Sequence, residues 1–209
     1  SIFSRTANVK EIIINGGSEI DDNAFMYFNN LKSITIPLSI TRIGENAFSG
    51  SYELTDVYYK GTITDWAKIE FSTLYSNPMV GAEHFNILTE TNEYYEVTEI
   101  EIPSIITEVG YQFAGFENVT NLIIPNCIET INESAFIDYK SIKELIIPSS
   151  VKSIGYGALK NCESLESLTL PFVGENLDGS GNTNIGHIFG TSQYEYNYSV
   201  VPALLSEII

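Results

Sequence analysis

A short, regular repeat in the sequence predicts a repeat solenoid of the α/β type in which most of the regular structure is β-strand. A pattern of fifteen residues, one shorter in its second copy, occurs four times, at ITIPLSITRIGENAF (34–48), IEIPSIITEVGYQF (100–113), LIIPNCIETINESAF (122–136) and LIIPSSVKSIGYGAL (145–159). The apolar residues that open the units follow one another at steps of 22, 23, 43, 22, 23 and 23. A fixed period in the twenties indicates units that bury their apolar faces only by stacking on their neighbours.

Each unit begins with a predicted strand. In the second unit Ile34 and Ile36 alternate with polar residues, which is the period of a strand with one buried side. Pro37 then ends the strand, because proline has no backbone N–H to donate. The units open at equivalent apolar positions: Val9, Leu31, Leu54, Val97, Val119, Ile142 and Leu165.

A sharp turn and a large apolar residue follow each strand. Gly44 recurs as Gly110 and Gly155, with Asn132 and Asp21 at the same place in two other units. These residue types tolerate a positive φ angle, so we expect left-handed backbone at this position. One large apolar residue per unit comes next and is expected to form a core column: Phe25, Phe48, Phe113, Phe136 and Leu159.

The repeat resembles a known family. Residues 142–165 follow the pattern L-x-x-I-x-I-P-x-S-V-x-x-I-G-x-x-A-F-x-x-C-x-x-L almost throughout, which is similar to the BspA-like leucine-rich repeats. The resemblance implies a right-handed superhelix with a parallel sheet on its concave face. It also implies a surface or secreted protein of a host-associated bacterium or a parasitic protozoan, linked to adhesion and host-protein binding. The sequence departs from the pattern at residues 60–96, at 172–203 and at Leu159.

The first departure, at about residues 60–96, is predicted to be an insertion with its own small elements. Thr62 and Asp65 have the spacing of a capping box, so a short helix is expected there. HFNIL and YYEVTEIEI, separated by the polar segment TETNE, predict a hairpin. Trp66 is either a binding aromatic or, as we expect, the residue that fixes this insertion to the repeats through its large buried area.

The second departure, at about residues 172–203, is predicted to be a long glycine-rich loop. Its DGSGN segment begins like a calcium-binding loop, but the later ligand positions do not fit that motif. In QYEYNYSV, the tyrosines Tyr194, Tyr196 and Tyr198 would share one face of a strand. They either form a binding stripe or, as we expect, cover the convex side of the solenoid.

Composition excludes several classes of protein. Ten basic and 27 acidic residues give a formal net charge of −17, which disfavours nucleic acids and anionic membranes as partners. No apolar run is long enough to cross a membrane.

Two cysteines, Cys127 and Cys162, lie at different repeat positions and are expected to be free, buried or partly buried thiols. We expect a single solenoid over residues 1–209, as a fragment of a longer surface protein.

The sequence holds no recognisable catalytic or metal-binding motif. The two histidines, His84 and His187, both fall in the insertions, away from cysteine or acidic clusters with metal-ligand spacing. No phosphate-binding glycine loop, nucleophile elbow or zinc-protease motif occurs. We therefore expect neither an enzyme nor a cofactor or metal site.

Residues between the apolar strand positions should face outward and form a surface for binding. We expect this face to combine acidic and apolar side chains and to prefer a basic partner. The expected function is a surface or secreted adhesion module that binds an extracellular protein or glycan of a host or neighbouring cell. The alternative is a passive stalk or spacer that presents other domains. The candidate binding residues are Tyr58, Glu99, Glu101, Ile123, Glu144, Ile146, Tyr194, Tyr196 and Tyr198.

Overall fold

The computed structural model describes residues 8–89 and 91–209, and short β-strands dominate its secondary structure. The chain divides into two compact units, one up to Val97 and one from Thr98 to Ile209. Each unit is a stack of parallel repeat turns, which confirms the mostly β solenoid that the sequence predicts. Unfolding of residues 1–209 as one cooperative solenoid stays a prediction.

The first unit has two sheets. The larger runs in the order β1-β3-β5-β7-β8, and the smaller in the order β2-β4-β6. All neighbouring strands are parallel except the pair β7 and β8. The strands are β1 (Glu11–Ile13), β2 (Glu19–Ile20), β3 (Ser33–Ile36), β4 (Arg42–Ile43), β5 (Asp56–Tyr59), β6 (Glu70–Phe71), β7 (His84–Leu88) and β8 (Tyr94–Glu96).

The second unit repeats this plan. Strands β9 and β11 pair with each other, β15 lies between β13 and β16, and β12 lies between β10 and β14, all in parallel. The first strands of the repeats therefore lie in one set of sheets (β9-β11 and β13-β15-β16), and the second strands form a separate sheet (β10-β12-β14). The strands are β9 (Glu99–Glu101), β10 (Glu108–Val109), β11 (Asn121–Ile123), β12 (Thr130–Ile131), β13 (Glu144–Ile146), β14 (Ser153–Ile154), β15 (Ser167–Thr169) and β16 (Glu207–Ile208).

The apolar column predicted from the sequence forms the core of both units. Phe48 is 7% exposed and Phe136 is fully buried, so the repeat alignment is confirmed. Phe25, in the first described repeat, is half-buried and packs on Phe48 with 5.4 Å between ring centroids. Phe136 makes an edge contact with Tyr139, with centroids 5.6 Å apart. The inward apolar residues of strands β3, β5, β7, β9, β11, β13 and β15 are buried as well.

The expected left-handed backbone at Gly44 and its equivalents is wrong. Positive φ angles occur two residues later, at positions equivalent to Asn46, which has φ 53°. Gly44 is needed for another reason: a Cβ on it would lie 2.5 Å from the backbone N of Asp22 in the preceding repeat. The glycine therefore allows two turns to approach closely. The positive-φ residues of the corners are Asn23, Tyr27, Asn46, Gly50, Gly115, Ser134, Asp138, Gly157 and Asn161.

The first insertion has the helix and the hairpin that the sequence predicts. Helix α1 (Ile63–Trp66) begins with a capping box, in which the Thr62 hydroxyl accepts from the Asp65 amide at 3.2 Å and the Asp65 carboxylate accepts from the Thr62 amide at 3.2 Å. Trp66 is fully buried, with its ring centroid 4.7 Å from that of Phe85. The expectation that Trp66 fixes the insertion to the repeats is confirmed.

Strand β7 shows that this insertion also contains a repeat strand, which the sequence analysis missed. It pairs in parallel with β5, with Asp56 opposite His84 and Tyr58 opposite Asn86. The connection between them includes 3₁₀ turns at Leu74–Ser76 and Pro78–Val80. Residues 60–83 are therefore a lengthened repeat turn, and β8 is added to the edge of the resulting sheet.

The second insertion is also a lengthened turn, because β16 pairs in parallel with β15. Its middle part packs beside the last regular corner: the Gly157 amide donates to the His187 carbonyl at 2.9 Å, and the Leu159 amide to the Ile188 carbonyl at 2.7 Å. This part forms helix α2 (Gly186–Phe189), a 3₁₀ turn (Tyr194–Tyr196) and helix α3 (Asn197–Val200).

Candidate functional site

Two adjacent sheets of the second unit, β9-β11 and β13-β15-β16, bring together five of the predicted binding residues on their outward side. Glu99 and Glu101 on β9 lie opposite Asn121 and Ile123 on β11. Glu144 and Ile146 lie on β13, which contacts β11. The isoleucines are 48% and 66% exposed, and all three glutamates are exposed, because side chains alternate along each strand and the intervening residues are buried. We call these five residues the acidic sheet face.

The lysine that precedes β13 is paired with a carboxylate outside the acidic sheet face. Lys143, which precedes β13, places its Nζ 3.0 Å from a carboxylate oxygen of Glu166. On the far strand β16, Glu207 lies opposite Ser167 and accepts from its hydroxyl at 3.4 Å. A further carboxylate thus lies two strands beyond β13, on the same sheet as Glu144 and Ile146.

Tyr58 lies in the first unit, on the outward face of its larger sheet. It has Thr35 on one side and Asn86 on the other. Its ring is half-buried because Tyr94 of the hairpin packs against it, with centroids 4.9 Å apart. Burial raises the pKa of Tyr58, and the charges of Asp56 and Glu11 raise it further. Tyr58 is therefore partly covered by Tyr94, whose own ring is partly exposed beside it.

Sequence reasoning missed an ionic cluster on the same face of the first unit. His84 lies opposite Asp56, and its Nδ1 is 2.8 Å from a carboxylate oxygen of Glu96 on β8. Its Nε2 is 3.8 Å from the carboxylate of Glu83. The hydrogen bond to Glu96 raises the pKa of His84, and the negative charges of Glu96, Asp56 and Glu83 add to this effect against a smaller opposing effect of burial. The signal was the strand pattern HFNIL, whose alternation puts His84 outward.

The tyrosine-rich segment does not form the predicted strand. Residues Tyr194–Tyr196 are a 3₁₀ turn and Asn197–Val200 a short helix, so residues two apart do not share a face. Polar side chains fix this helical backbone, because the Asn197 side-chain Nδ2 donates to Asn184 Oδ1 at 2.9 Å and the Ser199 hydroxyl donates to the Tyr196 carbonyl at 2.7 Å.

We expected the same tyrosines to cover the repeats, and that expectation is wrong. Tyr194 is 77% exposed, Tyr196 49% and Tyr198 85%. A binding stripe needs at least two rings open to solvent, and these three are exposed enough to meet that condition. Their role in binding stays a prediction.

Both cysteines have free thiols, as expected. Cys162 is fully buried, and its Sγ lies 3.4 Å from the carbonyl of Phe136 in the preceding repeat. Burial raises the pKa of the Cys162 thiol to about 12. Cys127 is half-buried, with its Sγ 3.6 Å from the Ile106 carbonyl.

Neither a metal site nor a membrane-spanning helix occurs among residues 8–89 and 91–209. Within those ranges, no group of three or more His, Cys, Asp or Glu side chains is placed to hold a metal ion. In the DGSGN segment, the Asp178 carboxylate accepts from the Ser180 amide at 2.9 Å and from its hydroxyl at 2.6 Å, and these bonds lower the pKa of Asp178. The described helices are all too short to cross a bilayer.

The repeat motif identifies the family. The sequence model of the family described as the BspA type leucine-rich repeat region matches this chain in six copies. The copies cover residues 1–81 and 85–184, which is most of the chain. The protein belongs to the BspA-type leucine-rich repeat family. The parallel turns and the buried aromatic column are the structural form of this repeat. No curated protein is detectably similar to the chain in sequence.

Several solved structures resemble this BspA-type protein. A leucine-rich repeat protein from Eubacterium ventriosum is 16% identical, with a TM-score of 0.46 over 99% of this chain and 67% of that one. A leucine-rich cell surface protein from Faecalibacterium prausnitzii is 21% identical, with a TM-score of 0.45 over 78% and 48% of the two chains. The pneumococcal vaccine antigen PcpA is 19% identical, with a TM-score of 0.39 over 97% and 77%. The family assignment rests on the repeat motif.

Proposed function

We propose that this BspA-type repeat protein is a binding module of the cell surface or the extracellular space. Its acidic sheet face takes up a basic segment of an extracellular protein. The observation that carries the proposal is the pair Ile123 and Ile146, two isoleucines about half or more exposed and surrounded by exposed carboxylates. The family resemblance supports the surface location, and the absence of a catalytic motif in the sequence favours binding over catalysis.

The two kinds of side chain would make different contributions to binding. Burying an exposed isoleucine fully in an interface contributes about 1.5–3 kcal/mol, so Ile123 and Ile146 would supply most of the affinity. The carboxylates would attract a cationic partner from a distance and orient it, which mainly raises the association rate. A typical interface covers about 800 Å² per partner. The contact would therefore extend from β13 across β15 to Glu207 on β16.

The experiment uses an array of purified extracellular proteins that span a wide range of isoelectric points, probed with the whole chain. We expect the proteins that bind to be mainly basic. For the strongest of them, the association rate should fall steeply as salt rises from about 0.05 M to about 0.5 M, since the Debye length shortens. The double charge reversal Glu101→Lys and Glu144→Lys should lower this rate by about tenfold or more.

A matched control separates the site from total charge. Glu108 and Glu133 are exposed and lie in the same unit outside the acidic sheet face, so Glu108→Lys with Glu133→Lys makes the same change in net charge. The control should keep most of the association rate. Equal losses in both double variants would place the effect in the overall charge, and no loss in either would place the site elsewhere. A passive stalk or spacer, the alternative function, predicts no saturable binding to any protein on the array.

A further inference from the structure

A cleft in the first unit lies outside both of its sheets. It opens between the corner of residues 48–54 and the lengthened turn of residues 75–81, and its volume is about 310 Å³. This is at the lower end of the range of about 300–1,000 Å³ that small-molecule sites occupy. None of its lining residues belongs to the acidic sheet face, so the cleft is a separate candidate site.

Hydrogen bonds hold the two walls of this cleft in place. The Phe48 amide of one wall donates to the Tyr75 carbonyl of the other at 3.1 Å. The Ser51 hydroxyl is buried and donates to the Phe25 carbonyl at 2.8 Å. On the opposite wall, the buried Asn77 side chain accepts from the Met79 amide at 2.9 Å. The cleft is therefore formed by the fold before any ligand arrives.

Gly50 shapes the corner wall. It has φ +78°, a conformation that favours glycine, and a Cβ on it would lie 2.7 Å from the Cε1 atom of the Tyr27 ring in the preceding repeat. Tyr27 thus packs directly over this corner, and a larger residue at position 50 would displace it.

The rim of the cleft is aromatic and uncharged. Tyr52 is 83% exposed and Tyr75 54% exposed. Among the described residues that line the cleft, none carries a charge, although the chain as a whole has a formal net charge of −17. The polar groups there are hydroxyls and amides, from Ser49, Ser51, Asn77 and the two tyrosines.

The second unit provides an internal comparison. A cleft of about 380 Å³ lies at the same repeat corner, since Phe48 and Leu159 are equivalent, and it too is closed by a lengthened turn. There, Lys160 and Glu163 take the places of Ser49 and Tyr52. The fold therefore forms a cleft at this corner in both units, and the neutral aromatic rim is specific to the first.

We propose that the cleft of the first unit is a binding site for a neutral sugar residue of a glycan. A sugar ring has an apolar C–H face and a hydroxyl edge, and tyrosine offers the matching combination of an apolar ring and a polar tip. Tyr52 and Tyr75 would contact the face of the sugar, and the Ser49 hydroxyl and the backbone groups of the corner would bind its hydroxyls. An acidic sugar would meet a strongly negative protein and no cation in the cleft.

The test uses the whole chain on an array of neutral and acidic oligosaccharides, followed by NMR titration with the methyl glycoside of the sugar that binds. We expect binding to neutral glycans, with chemical-shift changes centred on Tyr52 and Tyr75. Tyr52→Ala and Tyr75→Ala should each weaken the affinity by about tenfold. Both side chains are more than half exposed, so these variants should fold normally.

Two controls make the outcome specific. Tyr95→Ala, which removes an exposed tyrosine of the same unit outside the cleft, should leave sugar binding unchanged. The double variant Glu101→Lys and Glu144→Lys should also leave it unchanged, so failure of the protein-binding proposal and failure of the sugar site can be told apart. No binding to any neutral glycan, a preference for acidic sugars, or binding that survives both tyrosine substitutions would overturn the proposal.

Discussion

Gly155 lies directly against the backbone of Glu133 in the preceding repeat. A Cβ atom on Gly155 would stand 2.8 Å from the Cα of Glu133 and 2.6 Å from the carbonyl carbon of Asn132. Gly44 has the same relation to Asp21 and Asp22 in the first unit. The glycine at this place in the repeat therefore sets the distance between successive turns.

We expect Gly155→Ala to destabilise the second unit by about 1–3 kcal/mol, the usual cost of forcing extra volume into packed structure. Gly110→Ala is the matched control, because the nearest atom to its added Cβ is the flexible Gln112 Oε1 at 3.0 Å. Urea unfolding followed by circular dichroism measures both. Equal loss of stability in the two variants would show that contact with the preceding backbone is not the reason for the glycine.

Phe136→Ala should lower the free energy of unfolding by about 3–5 kcal/mol, because a fully buried ring leaves a cavity between stacked turns. Phe25→Ala should cost less, because Phe25 is only half-buried. Chemical denaturation of both variants gives the comparison. If Phe136→Ala were as mild as Phe25→Ala, the aromatic column would not be the main source of repeat stability.

The repeat period allowed much of the fold to be predicted, and its interruptions limited the rest. Side chains alternate along each strand, so the sequence could predict which ones face outward. Glu99, Ile123 and their neighbours accordingly lie on one face, as expected. His84 follows Asp56 by 28 positions rather than 22 or 23, which hid β7 from a search for a fixed period. The cleft near Tyr75 depends on a lengthened turn folding back on a corner, and no local pattern predicts that contact.

The turn and the tyrosine segment show a different limit. Residue types at Gly44 predicted positive φ, but close packing on the preceding turn explains the glycine equally well, and sequence does not separate the two causes. Alternation of Tyr194, Tyr196 and Tyr198 predicted a strand, while side-chain hydrogen bonds from Asn197 and Ser199 favour helical backbone. Such bonds to distant or local partners override a short alternating pattern.

The two thiols should react very differently. Cys162 is fully buried and its pKa is raised to about 12, so almost no thiolate is present near neutral pH. Cys127 is half-buried and should react in the folded protein. With a thiol reagent and mass spectrometry, we expect one modification per folded chain, at Cys127, and two after unfolding without a reductant. Rapid labelling of Cys162 in the folded protein would contradict this arrangement.

His84 should make the stability of the first unit depend on pH. Its hydrogen bond to Glu96 raises its folded-state pKa, so the folded state binds the proton more tightly than the unfolded state does. This contribution is fully present below the ordinary histidine pKa of about 6.5 and is lost as the pH rises through the raised folded-state value. His84→Gln should flatten the dependence of the melting temperature on pH in that window, and Glu96→Gln should do the same. Curves that stay parallel to that of the unaltered protein would rule out the link.

Three tyrosines near the end of the chain are exposed. Because Tyr194, Tyr196 and Tyr198 are 77%, 49% and 85% exposed, replacing Tyr196 or Tyr198 by alanine should change the free energy of unfolding by no more than about 0.5 kcal/mol. Tyr139→Ala is the control, since this tyrosine is almost fully buried and should cost several kcal/mol, about as much as other large core truncations.

If the exposed rings form a binding surface, the same variants should also weaken capture of the proteins that bind the unaltered chain on the extracellular-protein array. Exposed tyrosines favour such contacts because each ring buries a large apolar area and keeps a polar tip. The melting temperature and the captured fraction are measured on the same samples, so loss of fold and loss of contact are separated. A variant with all three rings removed that captured as well as the unaltered chain would show that this segment only closes the lengthened turn.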